Sequence, residues 1–265
     1  MTKIDDSVIG RIKDQLEILK LFRIKEVLDE VLSEAAVQNL AASQVLERLL
    51  SAEASALIKR RIERRIRESK LPEKKLLADF DFEFQTGIDK RQIMELATLS
   101  FVDRKQGVIL AGSSGTGKSH IAKALLLIGC QKNLRCLYTT AAGLLKDLMA
   151  GLSDGTLNKK LKCYSRPEIL LIDEIGFDRL EQESARNASL FFKVIDARYC
   201  KASTWLTTNI DFKSLGDYLG DPVITTAGVD RMIHHSIIIN IEGPSYRMHE
   251  SKKLNKTHKP AKKSK

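Results

Sequence analysis

Cysteine and long hydrophobic runs are both scarce in this chain of 265 residues. The four cysteines show no CxxC spacing and no paired histidine cluster. The sequence therefore indicates neither a zinc site nor a disulfide framework, and reduced thiols are expected. The longest apolar run, residues 124–130, is too short to cross a bilayer, and the N-terminus has no apolar signal core. We therefore expect a soluble, cytoplasmic protein.

Acidic residues are too few to balance the basic ones. The chain has 34 aspartates and glutamates against 44 lysines and arginines, so its formal net charge is +10 and its sequence pI is about 9.4. This excess favours a polyanionic partner such as nucleic acid. The length allows one domain or two, with enough residues for a substantial core.

Proline is absent from residues 4–69, and Gly10 is the only glycine there. Apolar side chains in this region recur at intervals of three and four residues, which is typical of amphipathic helices. Ile12, Leu16, Leu19 and residues 22–24 predict one helix, which either continues through residues 27–32 or is followed there by a second. Residues 43–47 predict a capped helix start. We predict a small all-helical domain at residues 1–70 that binds DNA or a partner.

A basic segment, residues 59–70, closes this domain. On a helix, Ile58, Ile62 and Ile66 would stack on one side, and arginines would cover the rest. One interpretation is a solvated face that Glu63 and Glu68 partly neutralise. We favour contact with DNA phosphates, because the arginines heavily outnumber the glutamates. The predicted DNA-binding residues are Arg60, Arg61, Arg64, Arg65 and Arg67.

Residues 71–87 are predicted to form a linker, because Pro72 ends the basic helix. Phenylalanine alternates with acidic residues at positions 79–84. This pattern leaves two interpretations open: a strand, or an extended lid whose aromatic rings approach the base of a nucleotide.

From residue 88 onward, strand and helix patterns alternate, which indicates a parallel sheet covered by helices on both faces. The predicted strands are residues 107–111, 135–139, 169–172, 204–208 and 236–240, and the predicted helices are residues 118–130, 142–152 and 184–200. We expect this α/β domain to span residues 88–248. The lysine-rich residues 249–265 are expected to be a disordered basic tail.

A glycine-rich loop lies between the first of these strands and the first of these helices. Residues 112–119 match G-x-x-x-x-G-K-[ST], the pattern of a phosphate-binding loop. Its glycines would let backbone N–H groups point inward, and the helix N-terminus would add partial positive charge. Lys118 would reach the β- and γ-phosphates, and the Ser119 hydroxyl would bind Mg²⁺. A glycine-rich turn that binds nothing is the alternative, which the flanking strand and helix disfavour. The predicted nucleotide-binding residues here are Gly112, Ser113, Ser114, Gly115, Thr116, Gly117, Lys118, Ser119 and His120.

Two later strands end in polar side chains that suit hydrolysis. Asp173 follows an apolar strand and would hold the metal or its waters. Glu174, one residue further, suits a general base that takes a proton from the attacking water. Asn209 ends the next strand and could hydrogen-bond the water and the γ-phosphate, although asparagine is also common in turns.

Together, the loop, Asp173-Glu174, residues 207–209, residues 228–235 and residues 243–247 resemble the IstB-like family over almost the whole chain. These proteins are ATP-dependent helpers of insertion-sequence transposases, within a branch of the AAA+ ATPases close to the bacterial helicase loaders. The resemblance implies a P-loop AAA+ sheet preceded by a helical domain, with no C-terminal helical lid because the chain after Asn240 is too short. It implies that Asn209 is a sensor that positions water, that Arg231 is an arginine finger for a neighbouring subunit, and that Arg247 is a second, sensor-type arginine on the nucleotide.

The resemblance also implies a function. We expect an ATPase that oligomerises with ATP and Mg²⁺ on duplex DNA, largely without sequence preference, and delivers that DNA to a partner transposase. Its ATP sites would lie at subunit interfaces. A replicative helicase loader is the alternative; it would share the catalytic residues Lys118, Glu174, Asn209 and Arg231, but would prefer single strands. A scaffold that binds ATP without hydrolysing it is a third interpretation, and Glu174 argues against it.

Overall fold

The computed structural model describes residues 6–176, 185–210 and 229–257. By its internal contacts the chain divides into two compact units, Met1–Arg64 and Arg65–Lys265. The boundary lies earlier than the predicted end of the helical domain at residue 70. Gly228, the first residue of the segment 228–235 that carries part of the family resemblance, lies outside the described residues. The last eight residues of the predicted tail lie outside them as well.

Three helices account for the described part of the first unit: α1 (Asp6–Ile18), α2 (Phe22–Gln38) and the larger part of α3 (Ala42–Glu68). Their core is small and consists of Leu16, Ile24, Leu28 and Leu49. The predicted capped start of α3 is confirmed, because the Gln44 side chain accepts a hydrogen bond from Ala41 N at 2.9 Å.

The expected single helix across Leu19 is wrong. The chain breaks between α1 and α2, where Lys20 adopts a left-handed conformation with φ of 59°. Leu19 is consequently exposed rather than packed in the core. Apolar periodicity continues through such a break, so the pattern alone could not locate it.

The second unit is built on a parallel sheet of five strands in the order β2-β3-β4-β1-β5. The strands are β1 (Gly107–Gly112), β2 (Cys136–Thr140), β3 (Ile169–Ile175), β4 (Ser203–Thr208) and β5 (Ser236–Ile241). The predicted parallel sheet is therefore confirmed, with all five strands close to their expected positions.

Helices cover both faces of this sheet, as predicted. The helices are α4 (Lys90–Ala97), α5 (Ser100–Asp103), α6 (Lys118–Gln131), α7 (Ala141–Ser153), α8 (Leu157–Ser165) and α9 (Ala185–Arg198). On β1, Ile109 belongs to the apolar cluster under α7, α8 and α9, whereas Val108 and Leu110 belong to the cluster under α4, α5 and α6. This alternation follows the period of two along a strand.

The predicted linker, residues 71–87, belongs to the second unit and packs against its core. Leu71, Leu77, Phe80 and Phe82 lie against its apolar cluster, and Leu77–Asp79 forms one turn of 3₁₀ helix. The strand interpretation is wrong. The Asp81 carboxylate accepts hydrogen bonds from Glu83 N (3.1 Å) and Phe84 N (2.9 Å), and this local capping folds the segment into turns.

After β5 the described residues contain a single helix, α10 (Tyr246–Thr257). The expectation that the tail is disordered from residue 249 is therefore wrong for its first nine residues, because the helix continues through them on good helix formers such as Glu250 and Lys252. No helix in the described part of the chain is both long and apolar enough to cross a membrane.

Candidate nucleotide site

The phosphate-binding loop follows β1 directly and leads into α6 at Lys118. Gly112, Gly115 and Gly117 have φ values of 141°, 81° and 96°, a region that other residues rarely adopt. A Cβ atom at residue 115 would stand 2.1 Å from Ser245 Oγ, and one at residue 117 would stand 2.4 Å from Phe80 Cε2. Glycine is thus required here both by backbone conformation and by space.

Lys118 lies over this loop and is only 5% exposed. Its Nζ donates hydrogen bonds to Gly112 O (2.7 Å) and Ser113 O (2.6 Å). Burial lowers the pKa of Lys118; Asp173 raises it and the Arg247 guanidinium lowers it further. The loop thus holds a desolvated cation at its centre, which suits a polyphosphate.

Asp173 is completely buried at the end of β3, and both its oxygens are hydrogen-bonded. Oδ1 accepts from Ser119 Oγ at 2.8 Å and from Thr207 Oγ1, and Oδ2 accepts from Tyr138 OH at 3.1 Å. A hydroxyl and a carboxylate oxygen in contact are the hard oxygen ligands that Mg²⁺ prefers. Ser119 and Asp173, which we call the metal pair, therefore fit a magnesium ion.

Glu174 lies beside this pair in an unusual backbone conformation. Its φ is 63°, the β3–β4 register shifts between Ile172 and Ile175, and its side chain is exposed. Its backbone N donates to Thr207 Oγ1 at 2.9 Å, so one threonine contacts both acidic residues. A non-glycine residue held at positive φ is strained by about 1–3 kcal/mol, and such strain concentrates at functional sites.

Asn209 follows β4 and lies beside the turn after Glu174. Its Oδ1 would be 2.5 Å from a Cβ atom at Gly176, so it contacts the turn that follows Glu174. The Asn209 side chain is exposed at the end of β4 and can reach a ligand on the loop side of the sheet.

Aromatic rings from residues 80–84 line the same edge. Phe80 lies against Gly117, and its ring centroid is 5.5 Å from that of His120. His120 Nε2 is 2.8 Å from Leu76 O, so His120 binds the preceding segment. Phe84 packs on Tyr246 and His249 of α10 with centroid distances of 5.3 and 4.5 Å. Phe80 therefore lies beside the loop, but residues 79–84 form turns and not the extended lid of the second interpretation, and contact of their rings with a nucleotide base stays a prediction.

The first turn of α10 is attached to the loop of its own chain. Tyr246 N donates to Gly115 O at 3.0 Å, and Arg247 is the next residue. The positive charge of Arg247 adds to burial in lowering the pKa of Lys118. Arg247 is therefore near the loop within a single chain.

Arg231 lies elsewhere. It lines a cavity with Gly107, Thr204 and Ser236, which lie at the N-terminal ends of β1, β4 and β5, whereas the loop lies at the C-terminal end of β1. Its Nη1 is 2.5 Å from Asp196 Oδ1, and its side chain is 47% exposed. The structure does not bring Arg231 to the loop of its own chain.

The five arginines of α3 that were predicted to bind DNA have different surroundings. Arg60 Nη2 binds Glu53 Oε1 at 2.6 Å, and Arg65 Nε binds Asn133 Oδ1 at 3.1 Å. Both have structural partners, which the sequence pattern could not reveal. Arg61, Arg64 and Arg67 are exposed.

Comparison with known proteins places this arrangement in a family. Residues 14–254 match the family described as IstB-like ATP binding protein. The chain belongs to the IstB-like ATP-binding proteins.

The IstB-like assignment agrees with individual relatives. The chain is 39% identical to a protein of insertion sequence IS5376 from Geobacillus stearothermophilus that is named for ATP binding, over 82% of this chain and 86% of that one. It is 38% identical to the corresponding protein of insertion sequence IS21 from Pseudomonas aeruginosa, over 90% and 89% of the two chains.

Solved structures share the fold of this IstB-like chain. A crystal structure of DnaI superposes with a TM-score of 0.54 at 22% identity, covering 63% of this chain and 91% of that one. DnaA from Aquifex aeolicus with bound AMPPCP superposes with a TM-score of 0.52 at 21% identity, covering 71% and 57%.

Sequence reasoning missed four residues of the site in this IstB-like protein. They are Gln85, Lys123, Tyr138 and Thr207. Gln85 is buried, and its Nε2 donates to Thr116 O at 3.0 Å from the segment interpreted as a linker. Thr207 carried one signal, a hydroxyl in an apolar strand next to the predicted sensor. The other three had none, because their roles depend on contacts with distant parts of the chain.

Proposed function

We propose that this IstB-like protein hydrolyses ATP and that, with ATP bound, it oligomerises on duplex DNA and delivers that DNA to a partner transposase. The observation that carries the proposal is the arrangement of Lys118, Ser119, Asp173 and Glu174 around one glycine-rich loop. A protein that only binds ATP has no need of an exposed carboxylate held under strain beside the metal pair.

Each residue has a distinct task in this proposal. Lys118 and the loop N–H groups bind the phosphates, and Ser119 with Asp173 holds Mg²⁺. The ion, when bound, neutralises charge on the phosphate oxygens. Glu174 accepts a proton from the attacking water, and Asn209 orients that water. Phe80 and Phe84 lie where they can contact the base.

Two arginines complete the site from different chains. Arg247 acts on the nucleotide of its own chain, because its helix is bonded to the loop at Gly115. Arg231 acts on the nucleotide of a neighbour, because it lies at the opposite ends of the strands from its own loop. An exposed ion pair such as Arg231–Asp196 is worth about 0–1 kcal/mol, so the pair can be exchanged for contact with a phosphate.

Basic charge supports the DNA part of the proposal. The net charge is +10, and Arg61, Arg64 and Arg67 present cationic side chains on one helix. Phosphate contacts of this kind carry no sequence information, so binding should be largely independent of sequence. The relatives are proteins of insertion sequences, which supports a transposase as the partner and the bacterial cytoplasm as the location.

Fluorescence anisotropy with labelled duplex and single-stranded DNA tests this proposal. We expect duplex binding to strengthen with a non-hydrolysable ATP analogue, duplex to be preferred over single strands, and duplex to stimulate ATP hydrolysis. Lys118→Ala is the matched control and should show a much smaller effect of the same nucleotide concentration. A preference for single strands would favour the helicase-loader alternative, and a lack of ATP turnover on either DNA would contradict the enzymatic part.

A further inference from the structure

The last turn of the basic helix α3 is attached to the edge of the sheet. Ser69, the residue after α3, is completely buried, and its carbonyl oxygen accepts a hydrogen bond from Tyr138 N at 2.8 Å. Arg65 O accepts from Cys130 Sγ at 3.7 Å, and the Arg65 side chain binds Asn133. Residues 65–69 therefore form part of the second unit, in contact with β2 and the end of α6.

Tyr138 connects this attachment to the metal pair. Its backbone N binds Ser69, while its hydroxyl donates to Asp173 Oδ2 at 3.1 Å. The other oxygen of Asp173 is the one that contacts Ser119. A displacement of Ser69 that shifts Tyr138 along β2 would consequently change the orientation of the carboxylate that is to hold the metal.

A second connection runs in parallel through Lys123. Its Nζ lies 3.3 Å from Glu73 Oε1 and 3.7 Å from Asp173 Oδ2, and it lies over the Tyr138 ring at 5.5 Å from the centroid. Glu73 belongs to the same short segment that leaves α3. The hydrogen-bond donor Tyr138 and the ion-pair partner Lys123 of Asp173 Oδ2 are thus both held by residues 69–73.

We infer that Tyr138 and Lys123 are positioning residues that couple the basic end of α3 to Asp173. Arg67 is exposed two residues before Ser69, so a polyanion bound there acts on the attached segment. Duplex DNA and ATP then each change the affinity for the other. The inference rests on the proposed function for the contact between α3 and DNA.

Tyr138→Phe tests this coupling, because it removes the hydroxyl and keeps the ring. The measured quantity is the ratio of duplex dissociation constants without and with a non-hydrolysable ATP analogue. We expect a ratio of about fivefold or more in the wild type and of less than about twofold in the variant. Because coupling is reciprocal, duplex should change the analogue affinity by the same factor in each protein.

Tyr164→Phe is the matched control. Tyr164 is buried in the same unit and donates to Asp147 Oδ2 at 3.0 Å, so it loses a similar bond away from the metal pair. The ratio of duplex dissociation constants without and with the analogue should be the same in Tyr164→Phe as in the wild type. An equal ratio in Tyr138→Phe would overturn the inference.

Glu73→Gln provides a second variant, because Glu73 is half exposed and its replacement should not prevent folding. It should lower the ratio by at least about twofold. If Tyr138→Phe does not fold, an unchanged ratio in Glu73→Gln overturns the inference. A wild-type ratio of one would contradict both this inference and the ATP dependence in the proposed function, whereas a normal wild-type ratio that Tyr138→Phe leaves unchanged overturns the inference alone. Absence of any duplex binding would instead contradict the proposed function.

Discussion

Thr207 holds the two acidic residues of the site in relation to each other. Its hydroxyl donates to Asp173 Oδ1 and accepts from Glu174 N, although the two acids differ in burial and backbone conformation. The buried acid is thereby fixed against Ser119, and the exposed acid is directed to the solvent side. This difference supports separate roles in metal binding and proton transfer.

Glu174→Gln should keep ATP bound while slowing hydrolysis by roughly 10²-fold or more, because an amide cannot take a proton from water. Nucleotide affinity and single-turnover hydrolysis are the measurements. Glu83→Gln, an exposed change outside the metal pair, is the control. Near-normal turnover in Glu174→Gln would mean that another group activates the water.

Lys118→Ala should weaken nucleotide binding by about tenfold or more, since hydrogen bonds to charged groups contribute about 1.5–3 kcal/mol. Binding of a fluorescent ATP analogue measures the loss. Lys146→Ala, which removes an exposed lysine from α7, should bind normally. Affinity within about threefold of the wild type would remove Lys118 from the site.

The candidate site could be predicted wherever one local pattern specifies the chemistry. The loop and Asp173-Glu174 are contiguous in sequence, and their flanking strands have clear apolar patterns. Tyr138 and Lys123 could not be predicted, because a tyrosine in a strand and a lysine in a helix are ordinary residues until the fold brings them to Asp173. Arg60 and Arg65 were interpreted by charge alone, and their partners lie elsewhere in the chain.

At the scale of elements, α2 begins without a capping side chain of its own, and α3 supplies one. Glu53 Oε2 accepts from Arg23 N at 2.8 Å and from Ile24 N at 3.2 Å. Burial acts to raise the pKa of Glu53, but these bonds and Arg60 outweigh it and hold the pKa below the ordinary 4.5. A carboxylate at a helix N-terminus is stabilising, so the first unit depends on this charge.

Glu53→Gln should therefore lower the free energy of unfolding of the first unit by about 1–2 kcal/mol at neutral pH. The pKa of Glu53 is lower in the folded state than in the unfolded state. The difference in unfolding free energy between wild type and variant is therefore largest above pH 4.5, and it shrinks as the pH falls through the folded-state pKa of Glu53. Urea unfolding followed by circular dichroism at several pH values checks this. Glu63→Gln, exposed on the same helix, should change little. A difference that persists unchanged at low pH would contradict the explanation.

The exposed arginines of α3 should set the salt dependence of DNA binding. Replacing Arg61 and Arg67 together by glutamine should weaken all duplex sequences alike. It should also reduce the slope of log affinity against log salt by about two, because each lost phosphate contact removes about 0.9 from the slope. Arg48→Gln is the control, since Arg48 pairs with Glu34. An unchanged slope would mean that Arg61 and Arg67 face solvent and do not contact DNA phosphates.

Helices and strands could be predicted where their apolar residues form a clear pattern in the sequence. Buried parallel strands are nearly continuous apolar runs, and all five were found. The short helices α4, α5 and α8 lack a long periodic pattern and were missed. The turns at residues 79–84 depend on the side chain of Asp81, which alternation of apolar residues does not report.

At the scale of the whole molecule, the separation of Arg231 from the loop makes the assembly testable. Arg231→Ala subunits should still bind ATP, and their hydrolysis should fall by on the order of 10³-fold or more. Mixed with Lys118→Ala subunits, they should regain part of the activity, because some interfaces then pair an intact loop with an intact Arg231. No recovery despite demonstrated co-assembly would contradict a role for Arg231 between chains.

The same separation gives an assembly a direction. In the proposed assembly, a subunit that offers its loop at one end of the strands and Arg231 at the other stacks head to tail. An open stack then has two unlike ends, one with a loop that no neighbouring Arg231 reaches and one with an Arg231 that reaches no neighbouring loop. The subunit at the first end would hold its ATP as a stable cap while those inside turn over. Growth and disassembly would consequently proceed at different rates from the two ends, and a closed ring would lose this polarity.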